Sequence, residues 1–338
     1  MRPAISVIIP IYNTNTEYFK QCLDSILSSS FPDYEIIVVD DGSSEENKKQ
    51  IDAVCAIDDR IKVFHQENQG VSVARNNAVS HAEGKYIVFV DADDMITPYF
   101  FENAYKIAEE KQADILYGFN YSTTNNFEYS DAGGSPFVKP ADNEWLEKYT
   151  VGFLYTNGKK TFGRGPWARF INSKVLQTVK FLPGVPIGED VLWNLEVMQI
   201  AKKKYIVDQV WYIYIQRPDS VTHVYNESIE QKLLPFYKYL AVFYENRTGT
   251  LKYYYHRMLR DLKKYMYEQY TAHPTNPDSF IARWKTFNRI CSNDPWKDIG
   301  KRAIFFVPRF RTKVKIILFK LKLLFPVWNI SDSMTKNK

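Results

Sequence analysis

Over its first 120 residues the chain alternates short, uninterrupted apolar runs with segments of helical period, and few architectures accommodate that pattern. The runs are residues 5–9 (ISVII), 35–39 (EIIVV), 86–90 (YIVFV) and 115–119, with 61–65 (IKVFH) a further, less apolar strand. A strand that is apolar at nearly every position has both faces covered, as in a parallel sheet with helices on either side. Helical patterns fall between the runs, over about 16–28, 70–81 and 98–112. A further helix is opened by Ser43-Ser44-Glu45-Glu46, where Ser43 and Glu46 have the spacing of a capping box. The fold class is therefore α/β, with a mostly parallel sheet flanked by helices. Ligands of such sheets bind beyond the carboxyl ends of the strands.

Polar residues cluster at those ends. Asp91-Ala92-Asp93-Asp94 follows YIVFV directly. Carboxylates one residue apart at a strand end can converge on a hard cation with oxygen ligands, the kind a nucleotide diphosphate needs as its leaving group gathers charge. The competing role, capping the next helix, can be met by Thr97. After EIIVV stands Asp40-Asp41-Gly42-Ser43, where a carboxylate can accept from a nucleobase N–H, although Asp-Gly is also an ordinary turn signal. After the first run comes Pro10-Ile11-Tyr12-Asn13, whose Tyr12 can stack on a base. Glu67-Asn68-Gln69-Gly70 leads to Arg75 in the first turns of a helix, within reach of phosphate or of a surface ion pair. Four such features on one edge of one sheet point to a nucleotide pocket.

Several classes are excluded or disfavoured. No GxGxxG follows the first strand and no GxxxxGK[ST] occurs, against a dinucleotide or P-loop site. The three cysteines (Cys22, Cys55, Cys291) are odd in number and widely spaced, as in a reduced cytoplasmic protein. The first apolar run is too short for a signal peptide, and no stretch of about 18 apolar residues spans a bilayer. Residues 121–140 are polar and rich in Gly, Ser and Asn. The segment 145–216 contains GRGPWARF, the triplet Gly188-Glu189-Asp190, a helix over 191–202 and a strand over 205–215. Beyond 227 the pattern is helical and rich in Tyr and Lys.

The stretches ISVIIPIYN, YEIIVVDDGS, ENQGVSVARN and YIVFVDADD together resemble glycosyltransferase family 2, the inverting enzymes of GT-A fold, over about residues 4–100. PWARF, GED and QRPDSVTH extend the likeness more loosely to about 225. The resemblance implies a GT-A, Rossmann-like catalytic domain over 1–225, with a nucleotide-binding half (1–120) and an acceptor half (121–225). A helical, basic C-terminal region over 226–338 lies outside it. Carried over by motif, Pro10, Tyr12, Asp41 and Asn68 hold the donor base, with Arg75 nearby. Asp91 and Asp93 meet ribose and the metal-bound diphosphate, Mn²⁺ or Mg²⁺ being the ion, with His223 as a further ligand. Asp190 is the catalytic base, Glu189 holds an acceptor hydroxyl, and Arg217 and Ser220 belong to a segment that closes over the diphosphate. Trp167 and Trp193 are stacking candidates for a sugar, with core packing as the alternative.

The implied reaction moves a sugar from a nucleotide-diphosphate donor, UDP-linked by the family's habit, to a glycan or lipid-linked glycan in surface polysaccharide biosynthesis. The alternatives are a sugar-phosphate nucleotidyltransferase and a catalytically inactive, carbohydrate-binding GT-A protein. In the tail, Phe310, Val314, Ile317, Leu321 and Leu324 form one helical stripe edged by Arg and Lys. That pattern predicts an interfacial helix over 301–328 and a peripheral place on the inner face of the cell membrane; the alternative is a helix packed on the catalytic domain. No nucleic-acid-binding motif accompanies the basic run.

Overall fold

The computed structural model describes residues 2–124, 135–158, 160–216 and 225–336. The chain forms two compact units. One comprises Met1–Thr150 and Leu154–Arg217, and the other Val151–Phe153 and Pro218–Lys338.

The first unit is the mixed α/β body that the alternating runs predict. It opens with β1 (Ile5–Ile11), α1 (Thr16–Leu27), β2 (Tyr34–Asp40), α2 (Glu45–Cys55), β3 (Ile61–His65), α3 (Val71–His81) and β4 (Tyr86–Phe89). There follow β5 (Met95–Ile96), α4 (Phe100–Lys111), β6 (Ile115–Thr123), β7 (Val138–Pro140), α5 (Asn143–Glu147), β8 (Tyr155–Asn157) and β9 (Lys160–Phe162). It closes with β10 (Arg169–Asn172), α6 (Ser173–Leu176), α7 (Glu189–Ile200) and β11 (Lys204–Ile215). The sheet runs β3-β2-β1-β4-β10-β6-β11-β5, with β7 on β11 and the β8–β9 hairpin on β6. Strands β3, β2, β1 and β4 are parallel, whereas β10 enters antiparallel between β4 and β6. Because β11 is parallel to β6, the carboxyl ends of β1, β2, β3, β4, β6 and β11 share one edge. β1 and β2 are buried nearly throughout because helices cover both faces, which explains their unbroken apolar sequence.

Two local expectations are corrected. α2 is capped by Ser44, whose Oγ accepts from Asn47 N–H, and not by Ser43. Ser43 is drawn away because its Oγ accepts from Asn13 N–H. Thr97 does not cap α4 either. Its buried hydroxyl needs a partner and donates to the Val210 carbonyl, so that Tyr99 becomes the N-cap, without a side-chain bond.

The second unit is helical: α8 (Ile229–Tyr244), α9 (Leu251–Asp261), α10 (Phe280–Cys291), α11 (Ile304–Phe306), α12 (Phe310–Lys320) and α13 (Leu324–Lys336), with a π-helical stretch at Leu262–Thr271. Its core holds Tyr237, whose hydroxyl donates to Asp261, and Arg257 paired with the same carboxylate. Among the described residues no helix is long and apolar enough to cross a membrane.

Candidate active site

The loops at the carboxyl edge are held by a dense set of side-chain bonds. After β2, both Asp41 oxygens are engaged. Oδ1 accepts from Gln66 Nε2 (2.8 Å) and Gln69 N–H (2.9 Å), and Oδ2 from Gly70 N–H (2.8 Å). Asn68 Nδ2 returns a bond to the Asp41 carbonyl at 2.9 Å. Gly42 is required between them: its φ is +77°, and a Cβ there would stand 2.6 Å from the Asn68 backbone nitrogen. Asn13, after β1, accepts at Oδ1 from Ser44 N–H and Asn47 Nδ2. Pro10 has no N–H, and the β1–β4 ladder ends before it, at Ile8 opposite Phe89. Tyr12 just beyond is exposed. The expected donor-base residues thus share one loop cluster, in which Asp41 chiefly organises the chain leading into α3.

α3 carries Arg75 inward, where it is 4% exposed. Its Nη2 donates to Asp91 Oδ1 at 2.9 Å and its Nη1 to Glu189 Oε1 at 3.2 Å. One buried guanidinium therefore ties the acids after β4 to the first turn of α7. A buried cation is tolerated because the carboxylates beside it, Asp91 first, compensate its charge. Glu189 is pushed up to about 7, first by burial and then by the neighbouring Asp190 charge, with Arg75 pulling the other way. Asp190 lies in the same turn, its Oδ1 accepting from Val191 N–H. The N-cap of α7 is Gly188 at φ +87°, so neither acid is the cap, and both sit at the positive pole of the helix.

The contacts close into a ring. Asn194 on α7 donates to the carbonyls of Asp190 (2.9 Å), Arg164 (2.8 Å) and Gly165 (3.2 Å). From that loop Trp167 stacks on Tyr212 of β11, with centroids 4.8 Å apart and planes 9° apart. Tyr212 donates its hydroxyl to Asp94 Oδ2 at 2.6 Å and accepts from Asp91 N–H at 3.2 Å, which returns the circuit to the acids. Asp94 Oδ1 also accepts from Ile215 N–H, and burial, with the Asp91 and Asp93 charges, holds its carboxyl well above the usual range. Arg169 anchors the loop from below by donating to the Gly163 carbonyl at 2.7 Å. Burial lowers its pKa to about 10. Ala168 is held in the left-handed region (φ +56°), strain of the sort that recurs at functional loops.

Asp91, Glu189, Asp190 and Trp167 are thus joined around Arg75, Asn194 and Tyr212, and the Asp93 charge acts on the neighbouring Asp94. Trp193 departs from the expectation for a sugar-stacking residue. It is 1% exposed, stacked on Phe181 (4.7 Å, 2°) with Phe89 edge-on, so its ring faces are spent in the core. Arg217, Ser220 and His223 lie outside the described residues. Among the described residues no group of three or more His, Cys, Asp or Glu assembles to hold an ion. The Asp91 and Asp93 carboxylates are nevertheless the right chemistry for a hard divalent cation that takes its other ligands from a diphosphate and water. Sequence reasoning gave no part to Asn194, Arg169 or Tyr212. Only Asp94 carried a signal, as the surplus acid of the motif.

The model of glycosyl transferase family 2 matches residues 6–179. The chain is 33% identical over 228 residues to glycosyltransferase GlyA of Streptococcus pneumoniae serotype 4, covering 66% of this chain but only 32% of GlyA. It is 30% identical over 226 residues to GlyG of the same organism (65% and 73% covered) and 29% identical over 252 residues to the uncharacterized glycosyltransferase EpsJ of Bacillus subtilis (73% and 71%). Among solved structures, S. aureus TarS 1–349 superposes with a TM-score of 0.64 at 18% identity, covering 99% of this chain and 92% of that one. A family model matched over half of the chain, relatives at about 30% identity and a sheet of GT-A type leave one assignment: the chain belongs to glycosyl transferase family 2.

Proposed function

We propose that the protein is an inverting glycosyltransferase that moves a sugar from a nucleotide-diphosphate donor, UDP-linked, to a hydroxyl of a glycan or lipid-linked glycan in surface polysaccharide synthesis. The observation that carries the reading is the Arg75 bridge, which holds the strand-end acids and the Glu189-Asp190 pair in one site although they are far apart in sequence. Structures of TarS, the fold neighbour, have been solved with UDP and with UDP-GlcNAc. That supports a nucleotide-sugar donor of the same kind here.

In the proposed reaction the Tyr12 ring and the loop organised by Asp41 and Asn68 hold the nucleoside. Asp91 and Asp93 would hold Mn²⁺ or Mg²⁺. Such an ion, when bound, supplies positive charge to the departing diphosphate. The acceptor hydroxyl attacks the anomeric carbon opposite the leaving group. A C–O bond to the acceptor forms, the C–O bond to phosphate breaks, and the electron pair leaves with the nucleotide diphosphate. The hydroxyl proton passes to the Asp190 carboxylate, a service worth roughly 10²–10⁴-fold. Glu189 orients the acceptor, whereas the Trp167 ring is packed between Gly163, Gly165 and Tyr212 and serves to shape the loop.

A panel of nucleotide sugars titrated by calorimetry, with Mn²⁺ and with chelator, tests the donor site. One UDP-sugar should bind only with metal, and the absence of any binding would sink the donor reading. Asp190→Asn should lose about 10²–10⁴-fold in turnover at unchanged donor affinity. Wild-type turnover by that variant would remove Asp190 as base, and a product of retained anomeric configuration would remove inversion.

A further inference from the structure

α12 has two apolar faces. Thr312, Ile316 and Phe319 are buried within the second unit. Phe310 (79% exposed), Val314, Ile317 (45%) and Leu321 (60%) lie on the opposite side, at the three- and four-residue spacing of one helical seam. Phe305, just before the helix, is 80% exposed. A surface helix ordinarily turns a single apolar stripe inward and presents polar residues outward. Here the outward seam is apolar and as long as the helix, although Leu324, the last member of the stripe read from sequence, is buried.

The flanks of that seam are cationic. Arg309, Lys313 and Lys320 border one side and Arg311 and Lys315 the other, and these five are exposed, as are Lys301, Arg302 and Lys322. None of these eight forms an ion pair among the described residues. The chain has no acidic residue from 299 to 331. Arg309 rests over the Phe153 ring at 5.0 Å, and among the described residues the others make no comparable contact with an aromatic ring. Charge complementarity therefore selects an anionic partner, and the apolar seam between two cationic rows selects a partner with an oily interior under anionic groups. A second copy of the helix would oppose cation to cation, and a nucleic acid would leave Phe305, Phe310 and Leu321 in water. We infer that α12, together with Phe305, docks on an anionic lipid bilayer. The seam sinks among the acyl chains and the Lys and Arg rows meet the headgroups. The contact is independent of the transfer reaction and stands or falls without it.

The test is sedimentation of the full chain with phosphatidylcholine vesicles, with and without roughly one third phosphatidylglycerol. The wild type should pellet with the anionic vesicles, bind the neutral ones at least about tenfold more weakly, and lose binding as salt is raised. Phe310→Ser with Ile317→Ser, and separately Lys313→Glu with Lys315→Glu, should each reduce binding about tenfold or more. These side chains are exposed, so the melting temperature should stay at the wild-type value, which separates lost docking from lost folding. Equal binding to both vesicle types, no binding to either, or unaltered binding by both variants would overturn the proposal. So would a vesicle-free dimer that Phe310→Ser with Ile317→Ser converts to monomer, since the seam would then be an interface between copies.

Discussion

Arg75 shows how much one side chain can decide. In sequence it is a single cation on a helix, and a lone Arg of that kind commonly ends in a surface ion pair of little value. In the structure it is buried between Asp91 and Glu189 and fixes both. The carboxyl it shares with α7 carries a consequence for pH. Burial and the Asp190 charge hold Glu189 near 7, above the 4.5 of an ordinary glutamate. The folded state therefore binds more protons than the unfolded chain between those values. The native state is least penalised below pH 4.5 and loses stability as the pH rises through 7. Glu189→Gln removes the penalty. Its melting temperature should exceed that of the wild type at pH 8, by the equivalent of about 1–3 kcal/mol, and match it at pH 4. An equal or lower melting temperature at pH 8 would mean that the Arg75 pair outweighs the cost of burying the carboxylate. The larger cause, burial, comes from the folded surroundings and is not written in the local sequence, while the Asp190 charge is supplied by the next residue and Arg75 of α3 pulls the other way.

At the scale of elements, the strands and helices of the first 120 residues were legible because each has its own period and punctuation. β3 spans residues 61–65 as expected from the sequence, although Lys62 and His65 break its apolar pattern, and β1 and β2 extend their runs by one or two residues. The caps were less legible. Ser43 and Thr97 both have the chemistry of a cap, and both are claimed instead by partners on other strands or loops. The GRGPW loop shows the same limit. Its glycines look like simple flexibility, yet a Cβ on Gly163 would come within 1.9 Å of the Trp167 ring, and one on Gly165 within 2.2 Å. These residues clear a slot for the indole, which is stacked on its far side by Tyr212 and Tyr214. Gly163→Ala should therefore displace Trp167 and destabilise the protein by about 1–3 kcal/mol, read by denaturant unfolding and by altered tryptophan fluorescence. An unchanged midpoint and spectrum would show that the loop yields without loss. α12 makes the complementary point: periodicity found the apolar stripe, but only packing revealed that Ile316 and Phe319, not Phe310 and Leu321, are the buried set.

On the scale of the whole molecule, the chain makes two compact units, and the second borrows Val151–Phe153 from the middle of the first. There Gly152 lies against Tyr253, and the Phe153 ring meets His256 edge-on at 4.2 Å. Phe153→Ala should lower the stability of the helical unit by roughly 2 kcal/mol, less than for a fully buried Phe. In calorimetry the shift should appear in one of two transitions, and a uniform shift of a single transition would show that the units unfold together. By itself the sequence determined the covered parallel strands, the edge on which polar residues gather, the acids of the DADD and GED motifs, and the helical character beyond 227. Each of these is written locally, in the period of apolar side chains or in residues that directly follow a strand. Only the tertiary structure decided that β10 inserts antiparallel beside β4, that Trp193 is core, and that Arg75, already paired with Asp91, reaches Glu189 114 residues further along the chain. Those outcomes depend on which distant surfaces bury against one another, and local propensity carries no information about a partner so far along the chain.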